Sequence, residues 1–322
     1  MKTAWHGGLT LAVLSAAAGT PAAQTYPSKP IRVVNTSAAG GPAELVARTL
    51  GQGLTDAWGQ QVVVDTRAGA AGTIGAEIVA RAAPDGYTLL LGAGSTMVIA
   101  PLVQKVSYDA IKDFAAVSMV VVSPFALAVH PSVSAKNLKE FITLAKGKPK
   151  FYNFGSAGTG STAHLGGEQL KILAGIELQH VPYKGVVPAL ADLVAGQIQM
   201  LFGSTSALVP QAKAGKITLL ATAGPRRSAL APDTATVGET FPGYEVVTWY
   251  SIAAPAKTPQ SLVNKLNGEI VRVLSQPDRV ARLAAQGHEA RPTTPEDMVA
   301  YTRSEIAKFS KLVKLAGVKA SE

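Results

Sequence analysis

From residue 31 onward, short apolar runs of β character alternate with stretches whose apolar residues recur every three or four positions. That alternation predicts an α/β fold with largely parallel strands. A strand over 31–35 precedes a helix over 43–54, and a strand over 62–65 precedes a helix over 73–83. On the second of these helices Ile74, Ile78, Val79 and Ala82 share one face. Pro84-Asp85-Gly86-Tyr87 is a turn into a strand over 88–91, whose unbroken leucines suit burial on both faces.

A second region opens with a strand over 125–129. Ser134 is expected to cap the helix that follows, where Leu138, Phe141, Ile142 and Ala145 fall on one stripe. Strands over 151–154 and 177–181 flank a helix over 161–173, and a helix over 189–195 stops at Gly196. Strands over 198–202 and 217–222 complete the region. After a Pro- and Gly-containing stretch at 225–243 comes a strand over 244–254, then two amphipathic helices. Leu262, Val263, Leu266, Ile270, Val273 and Leu274 mark one of them, and Met298, Thr302, Ile306, Phe309 and Val313 mark the other.

Two α/β regions followed by helices imply that the C-terminal segment returns to the first region. The expected division is one lobe from 24–127 plus 252–322 and a second from 128–251, with crossings near 126–130 and 249–253. A cleft between two lobes is a common seat for a small ligand. No fixed-period repeat is visible.

The first residues change the picture of where this fold works. Lys2 followed by an apolar run over 9–18 and small residues has the form of an export signal. Cleavage is expected near Ala22 or Ala23, making 1–23 the leader, and the apolar run is shorter than the about 20 residues a membrane span requires. The expected compartment is the periplasm. With 47% hydrophobic and 16% charged residues the chain is globular in composition. The chain has 0 Cys, which excludes disulfides and Cys-ligated metals.

The formal net charge is +9. Its lysines and arginines are scattered along helices, as at Lys136, Lys139, Lys146, Lys148 and Lys150, and aromatic content is 6% without aromatic-basic interleaving. Solvated helix faces and mild steering of anions explain this better than a nucleic-acid partner.

Candidate chemistry lies in three loops, each between a strand and a helix start. Ser37-Ala38-Ala39-Gly40-Gly41-Pro42 follows the first strand, Gly92-Ala93-Gly94-Ser95-Thr96 follows the leucine strand, and 155–162, Gly155-Ser156-Ala157-Gly158-Thr159-Gly160-Ser161-Thr162, follows the strand over 151–154. Small residues let backbone N–H groups approach a ligand, and a helix start favours an anion. None of the three contains Lys, Arg, His or Cys, so they offer hydrogen bonds and little reactive chemistry.

Several features invite other interpretations. Gly158-Thr159-Gly160-Ser161-Thr162-Ala163, with Glu177 on the next strand, imitates a dinucleotide-binding fingerprint and keeps a nucleotide-dependent oxidoreductase among the alternatives. Export argues against it. His164 and His180 lack the converging ligands of a metal site and are expected to pack. Ser156 and Ser161 lack an elbow motif and an evident His and acid partner, so hydroxyl donation to a carboxylate is the expected role. Tyr183 and Lys184 either reach the cleft or edge the lobe. Arg67 makes an internal ion pair or touches ligand, and Trp249 is expected to pack at a crossing. No cofactor, metal or catalytic residue is expected.

Read together, Tyr26-Pro27-Ser28-Lys29-Pro30-Ile31-Arg32, Gly40-Gly41-Pro42, Arg67-Ala68-Gly69-Ala70-Ala71-Gly72 and Pro84-Asp85-Gly86-Tyr87-Thr88-Leu89-Leu90 resemble the substrate-binding proteins of tripartite tricarboxylate transporters, also called Bug receptors. Phe154-Gly155-Ser156-Ala157-Gly158-Thr159-Gly160-Ser161, His180-Val181-Pro182-Tyr183-Lys184-Gly185 and Ala214-Gly215-Lys216 extend the resemblance over essentially the whole mature chain. It implies a type II-like, venus-flytrap periplasmic binding protein, each lobe a mixed, mostly parallel sheet flanked by helices. Such a protein, expected to be a monomer, captures a small organic acid and passes it to integral membrane transporter subunits; a sensory receptor is the related alternative.

The resemblance places one ligand carboxylate between Ser37, Ala38, Ala39, Gly40 and Gly41 on one side and Ser156, Ala157, Gly158, Ser161 and Thr162 on the other. Glu44, Ser95, Tyr183, Gly203 and Ser204 complete the candidate set. Thr36-Ser37 replaces a Pro-aromatic pair frequent in the family, and Glu44 replaces an Asp. Gly203 stands where many members carry an Asp that could meet an ammonium group, so a carboxylate without a charged amine is the expected ligand.

Overall fold

The computed structural model describes Met1, residues 26–315, Gly317 and Val318; apart from Met1, the predicted leader lies outside the described residues. In chain order the elements are β1 (Ile31–Asn35), α1 (Pro42–Trp58), β2 (Val62–Thr66), α2 (Thr73–Ala80), β3 (Thr88–Ala93), a π-helical turn (Ser95–Ile99) running into α3 (Ala100–Val103), and β4 (Phe114–Val129). Then follow α4 (Leu138–Gly147), β5 (Asn153–Ser156), α5 (Thr162–Ala174), β6 (Gln179–Pro182), α6 (Val186–Val194), β7 (Met200–Ser204), α7 (Thr205–Lys213) and β8 (Thr218–Thr222). The chain closes with β9 (Val247–Pro255), α8 (Gln260–Leu274), α9 (Pro277–Ala284), β10 (Glu289–Ala290) and α10 (Pro295–Leu315).

Helix ends follow local chemistry. Pro42 opens α1, where its missing N–H is no loss, and Gly59 ends it at φ 64 with its N–H on the Thr55 carbonyl. Ser161 caps α5 by accepting the His164 N–H, and Gly175 terminates that helix at φ 60. The cap of α4 is Asn137, which accepts the Glu140 N–H, and not Ser134 as its hydroxyl had suggested. Leu138 is already the first helical residue, so Ser134 stands too far upstream to reach the first turn.

β4 organises the sheet. Its first part, Phe114 to Pro124, pairs antiparallel with β9, and β10 pairs at Val121 and Val122. Its last part, Phe125 to Val129, pairs antiparallel with β7 on one side and β8 on the other. Parallel strands extend each half: β1 with β2 and β3 in the first, β5 with β6 and β7 in the second. The fold is therefore mixed α/β in two halves, as expected. The 125–129 strand, however, is only the end of a 16-residue strand. Pro124, which cannot donate a ladder bond, falls where the pairing partner changes from β9 to β7.

Each half carries cores on both sheet faces. Val46, Leu50, Leu89, Ile252 and Leu266 pack one face of the first half, and Val34, Leu90, Trp249 and Phe309 the other. In the second half Phe141, Phe154, Leu170 and Phe202 oppose Leu193, Leu201 and Leu208. Leu165 of α5 joins the Trp249 and Phe309 cluster, so apolar packing continues from one half to the other.

Candidate functional site

Strand direction brings the predicted loops together. Ala93, the end of β3, lies opposite Tyr250, which lies opposite Val121 of β4. Ser204, the end of β7, lies opposite Phe125 of β4. Because β3 ascends with β4 and β7 descends against it, the two C-terminal ends point toward each other. They are separated by four positions of β4, about 13 Å of strand. The other strand ends flank this waist: Asn35 of β1 stands at the level of Ser118, through Leu91 and Ile252, and Gly155 of β5 at the level of Ala128, through Leu201. Ligands of α/β sheets bind off such carboxyl ends.

In the first half three loops interlock. A Cβ on Gly72 would lie 2.3 Å from Thr96 Oγ1 and 3.0 Å from Thr36 Cβ, a clearance only glycine permits at its φ of 89. Thr96 donates to the Ala71 carbonyl at 2.9 Å and Gln104 Nε2 to the Ala70 carbonyl at 3.1 Å. Ala70 and Ala71 have φ of 46 and 56, a strained left-handed pair held by these bonds and by Thr73. The 69–72 segment carried no predicted site role, although Arg67 to Gly72 is among the motifs that carry the family resemblance.

The 37–41 loop shows which of its amides are available. Gly40 donates its N–H to Glu44 Oε2 at 2.7 Å, and Arg48 Nε donates to Glu44 Oε1 at 2.7 Å. Both partners hold the Glu44 carboxyl below its usual range, the Gly40 amide contributing most. Glu44 thus ties the loop to α1. Ser37 N–H goes to the Asn35 side chain and Gly41 N–H to the Ala38 carbonyl. The amides of Ala38 and Ala39 have no intramolecular acceptor among the described residues, and both residues are exposed.

Across the waist, the 156–162 loop is built likewise. Ser156 is fully buried, its Oγ accepting the Gly158 N–H at 3.1 Å and lying 2.7 Å from His180 Nε2. Gly160 donates to His164 Nδ1 at 3.0 Å. Ala157 and Thr159 are exposed, with N–H groups lacking an intramolecular acceptor among the described residues. Thr162 is buried at the start of α5, whose first-turn amides point out of the helix. Gly160 stands beside Val103 of α3, next to Gln104, which links this loop to the Ala70 turn of the first half.

The remaining candidates lie around this core. Ser95 opens the π-helical turn, half-buried. Gly203 is buried near Val186, and Ser204 is the N-cap residue of α7. Tyr183 donates its hydroxyl to Asp192 at 2.7 Å, and burial with that bond pushes its phenol up to about 12. Arg67 pairs with Asp65 at 3.0 Å, and Glu177, the acid a dinucleotide site would use, faces Lys150 at 3.5 Å. Trp249 is buried with its indole N–H on Glu305 at 3.4 Å. Among the described residues no group of three His, Asp or Glu could hold a metal, and no helix is long and apolar enough to cross a membrane. A cavity of about 320 Å³ lies at the other side of β4, lined by Pro124, Arg226, Leu230 and His288 and by none of the candidate residues.

The fold and the paired loops define a two-lobed binding protein. Residues 46–318 match the family described as tripartite tricarboxylate transporter family receptor, and the chain belongs to that family. It is 37% identical over 314 residues to a UPF0065 protein of Bordetella bronchiseptica, covering 97% of this chain and 93% of that one. Among solved structures, Rpa4515 of R. palustris with adipate is 31% identical with a TM-score of 0.82, over 92% of this chain and 100% of that one. MatC of Rhodopseudomonas palustris with bound malate is 32% identical with a TM-score of 0.76, over 89% and 100%. The family is one of periplasmic binding proteins, as the sequence resemblance implied.

Proposed function

We propose that this protein is an exported, non-enzymatic receptor that captures a small organic carboxylate between its two lobes and delivers it to membrane transporter subunits. The observation that carries this is the convergence of two loops whose outward amides, Ala38 and Ala39 on one side and Ala157 and Thr159 on the other, have no intramolecular acceptor among the described residues. Each helix start behind them favours an anion by about 0.3–1 kcal/mol. Closure of the two lobes on each other joins the half-sites and removes the anion from water. Adipate and malate in the two relatives support the ligand class.

Membership of a binding-protein family supports a receptor that releases its ligand unchanged. Ser156, beside His180, is fully buried and its hydroxyl is engaged with Gly158, which suits a loop-holding role better than a nucleophilic one. The absence of an acid at Gly203 favours a ligand without a charged amine. The neutral Gly203, half-buried Ser204 and Ser95 leave room for a hydroxyl or a second carboxylate, with water filling gaps. Thermal unfolding of the mature protein against a panel of organic acids tests this. A ligand at 100 times its dissociation constant adds about 2.7 kcal/mol. Stabilisation by malate, adipate or a related acid, and none by aspartate or glutamate, is the expected result.

A further inference from the structure

Two imidazoles stack beneath the exposed tip of the second-lobe loop. His164 on α5 and His180 on β6 have ring centroids 3.8 Å apart at an interplanar angle of 19°, with Phe154 of β5 against His180 at 4.9 Å. His164 Nδ1 accepts the Gly160 N–H at 3.0 Å in a buried bond. A ring nitrogen that accepts an N–H carries no proton, so His164 is the neutral Nε2–H tautomer. His180 Nε2 meets Ser156 Oγ at 2.7 Å, and that hydroxyl accepts the Gly158 N–H and donates to the Gly158 carbonyl, each at 3.1 Å, which leaves His180 Nε2–H as the donor to it.

The result is an alternation along four residues. The amides of Gly158 and Gly160 are drawn inward, and those of Ala157 and Thr159 have no acceptor among the described residues. Gly158 at φ 130 and Gly160 at φ 75 make the alternation possible. We propose that His164 and His180 are positioning residues for anion capture: His164, as a neutral acceptor of the Gly160 N–H, and His180, through the Ser156 hydroxyl, set the loop so that the Ala157 and Thr159 amides face the carboxylate. This rests on the carboxylate-receptor assignment.

The charges around the stack suit that role. Glu168 lies on the same helix, with Oε1 3.9 Å from His164 Nε2, and is itself neutralised by Lys171 at 2.7 Å. Phe154 and Ser156 on β5 add no charge. Burial holds both imidazoles low, His180 to about 3 with His164 and Lys171 contributing, so neither is cationic near neutral pH. Protonating His164 at Nδ1 would place a donor where the Gly160 amide needs an acceptor.

Long-range proton–nitrogen NMR on the mature wild-type protein tests the assignment without any ligand. Nε2–H on His164 with an unprotonated Nδ1 at pH 7 is expected, and a proton on Nδ1 would overturn it. Malate or adipate should then move the Ala157 and Thr159 amide resonances more than those of Gly158 and Gly160; the reverse order refutes the positioning role. His164→Asn keeps an oxygen near Nδ1 and should hold affinity within about threefold, while His164→Leu should lose about tenfold or more. Equal affinities of the two variants would count against the proposal, and if the Leu variant does not fold the NMR readings decide. Wild-type protein that binds neither acid strikes the carboxylate assignment, while the tautomer still decides the part played by His164.

Discussion

Gly160 and Val103 meet where the two halves of the sheet face each other: a Cβ on Gly160 would lie 3.2 Å from Val103 Cγ2. Gly160 belongs to the loop after β5, and Val103 ends α3. The contact therefore couples the two loop systems directly. It also leaves a side chain there in tight contact unless Val103 gives way, at a φ of 75 that only glycine adopts at low cost.

Gly160→Ala should consequently cost more than the same change at Gly175, where φ is 60 but nothing lies within 4 Å. The left-handed backbone alone costs about 1 kcal/mol at Gly175. Crowding against Val103 should raise the total at Gly160 to about 2–3 kcal/mol. Urea unfolding of the two variants measures both, and equal losses would mean that Val103 yields freely.

Gly158→Val and Gly40→Val are expected to abolish stabilisation by malate and adipate. Gly158 sits at φ 130, with a Cβ 3.2 Å from the Tyr183 carbonyl, so a side chain there displaces the loop. A Cβ on Gly40 would meet nothing within 4 Å, but its φ of 73 is strained for a β-branched residue, so at that position valine shifts the backbone that carries the Ala38 and Ala39 amides. Calorimetric titration beside far-ultraviolet circular dichroism separates loss of binding from loss of fold.

Acid should destabilise the protein through its buried histidines. His288 is 2% exposed, its Nδ1 2.5 Å from Ser123 Oγ, and burial pushes it down to about 4. His180 is pushed down to about 3. Both are neutral when folded and take up protons near 6.5 when unfolded. Between about pH 6.5 and pH 4 the unfolded chain therefore binds more protons, and stability falls with pH. His288 contributes on the order of 3 kcal/mol to that loss. Denaturant midpoints over this range for wild type and His288→Gln report it; a flat wild-type profile would show that neither ring is held neutral.

Asn137→Ala should lower stability by about 1 kcal/mol through loss of the α4 cap, while Ser134→Ala should fall within about 0.5 kcal/mol of wild type. Thermal unfolding distinguishes the two sites. The comparison also marks what a sequence conveys about a helix start: both residues are good capping types, and only the packing of Leu138, buried in the second-half core, chooses the register.

The same division between local and distant causes runs through the molecule. The α/β alternation, the two halves and the glycine loops were legible because strand periodicity and helix starts are local. The longer part of β4, Phe114 to Pro124, was not, since its pairing with β9 joins segments more than a hundred residues apart. Neither was α7, whose Pro210 interior and Ser204-Thr205-Ser206 start resemble a loop. Within the site, sequence spacing pointed to Ser156 and Glu44 as candidates but could not reveal their bonds to the Gly158 and Gly40 amides. His164 and His180 looked like packing residues because their stacking joins a helix to a strand 16 positions away.

One further result follows from β4 serving both halves. Cutting the gene near residue 127 would strip the second half of the ribbon on which β7 and β8 assemble, and the first would also lose β9, encoded far downstream. Neither fragment has a finished sheet to fold around. The protein is thus heritable only as a whole: shuffling or transplanting one half into another scaffold must carry this ribbon, or the recipient exposes an unpaired strand edge prone to aggregation.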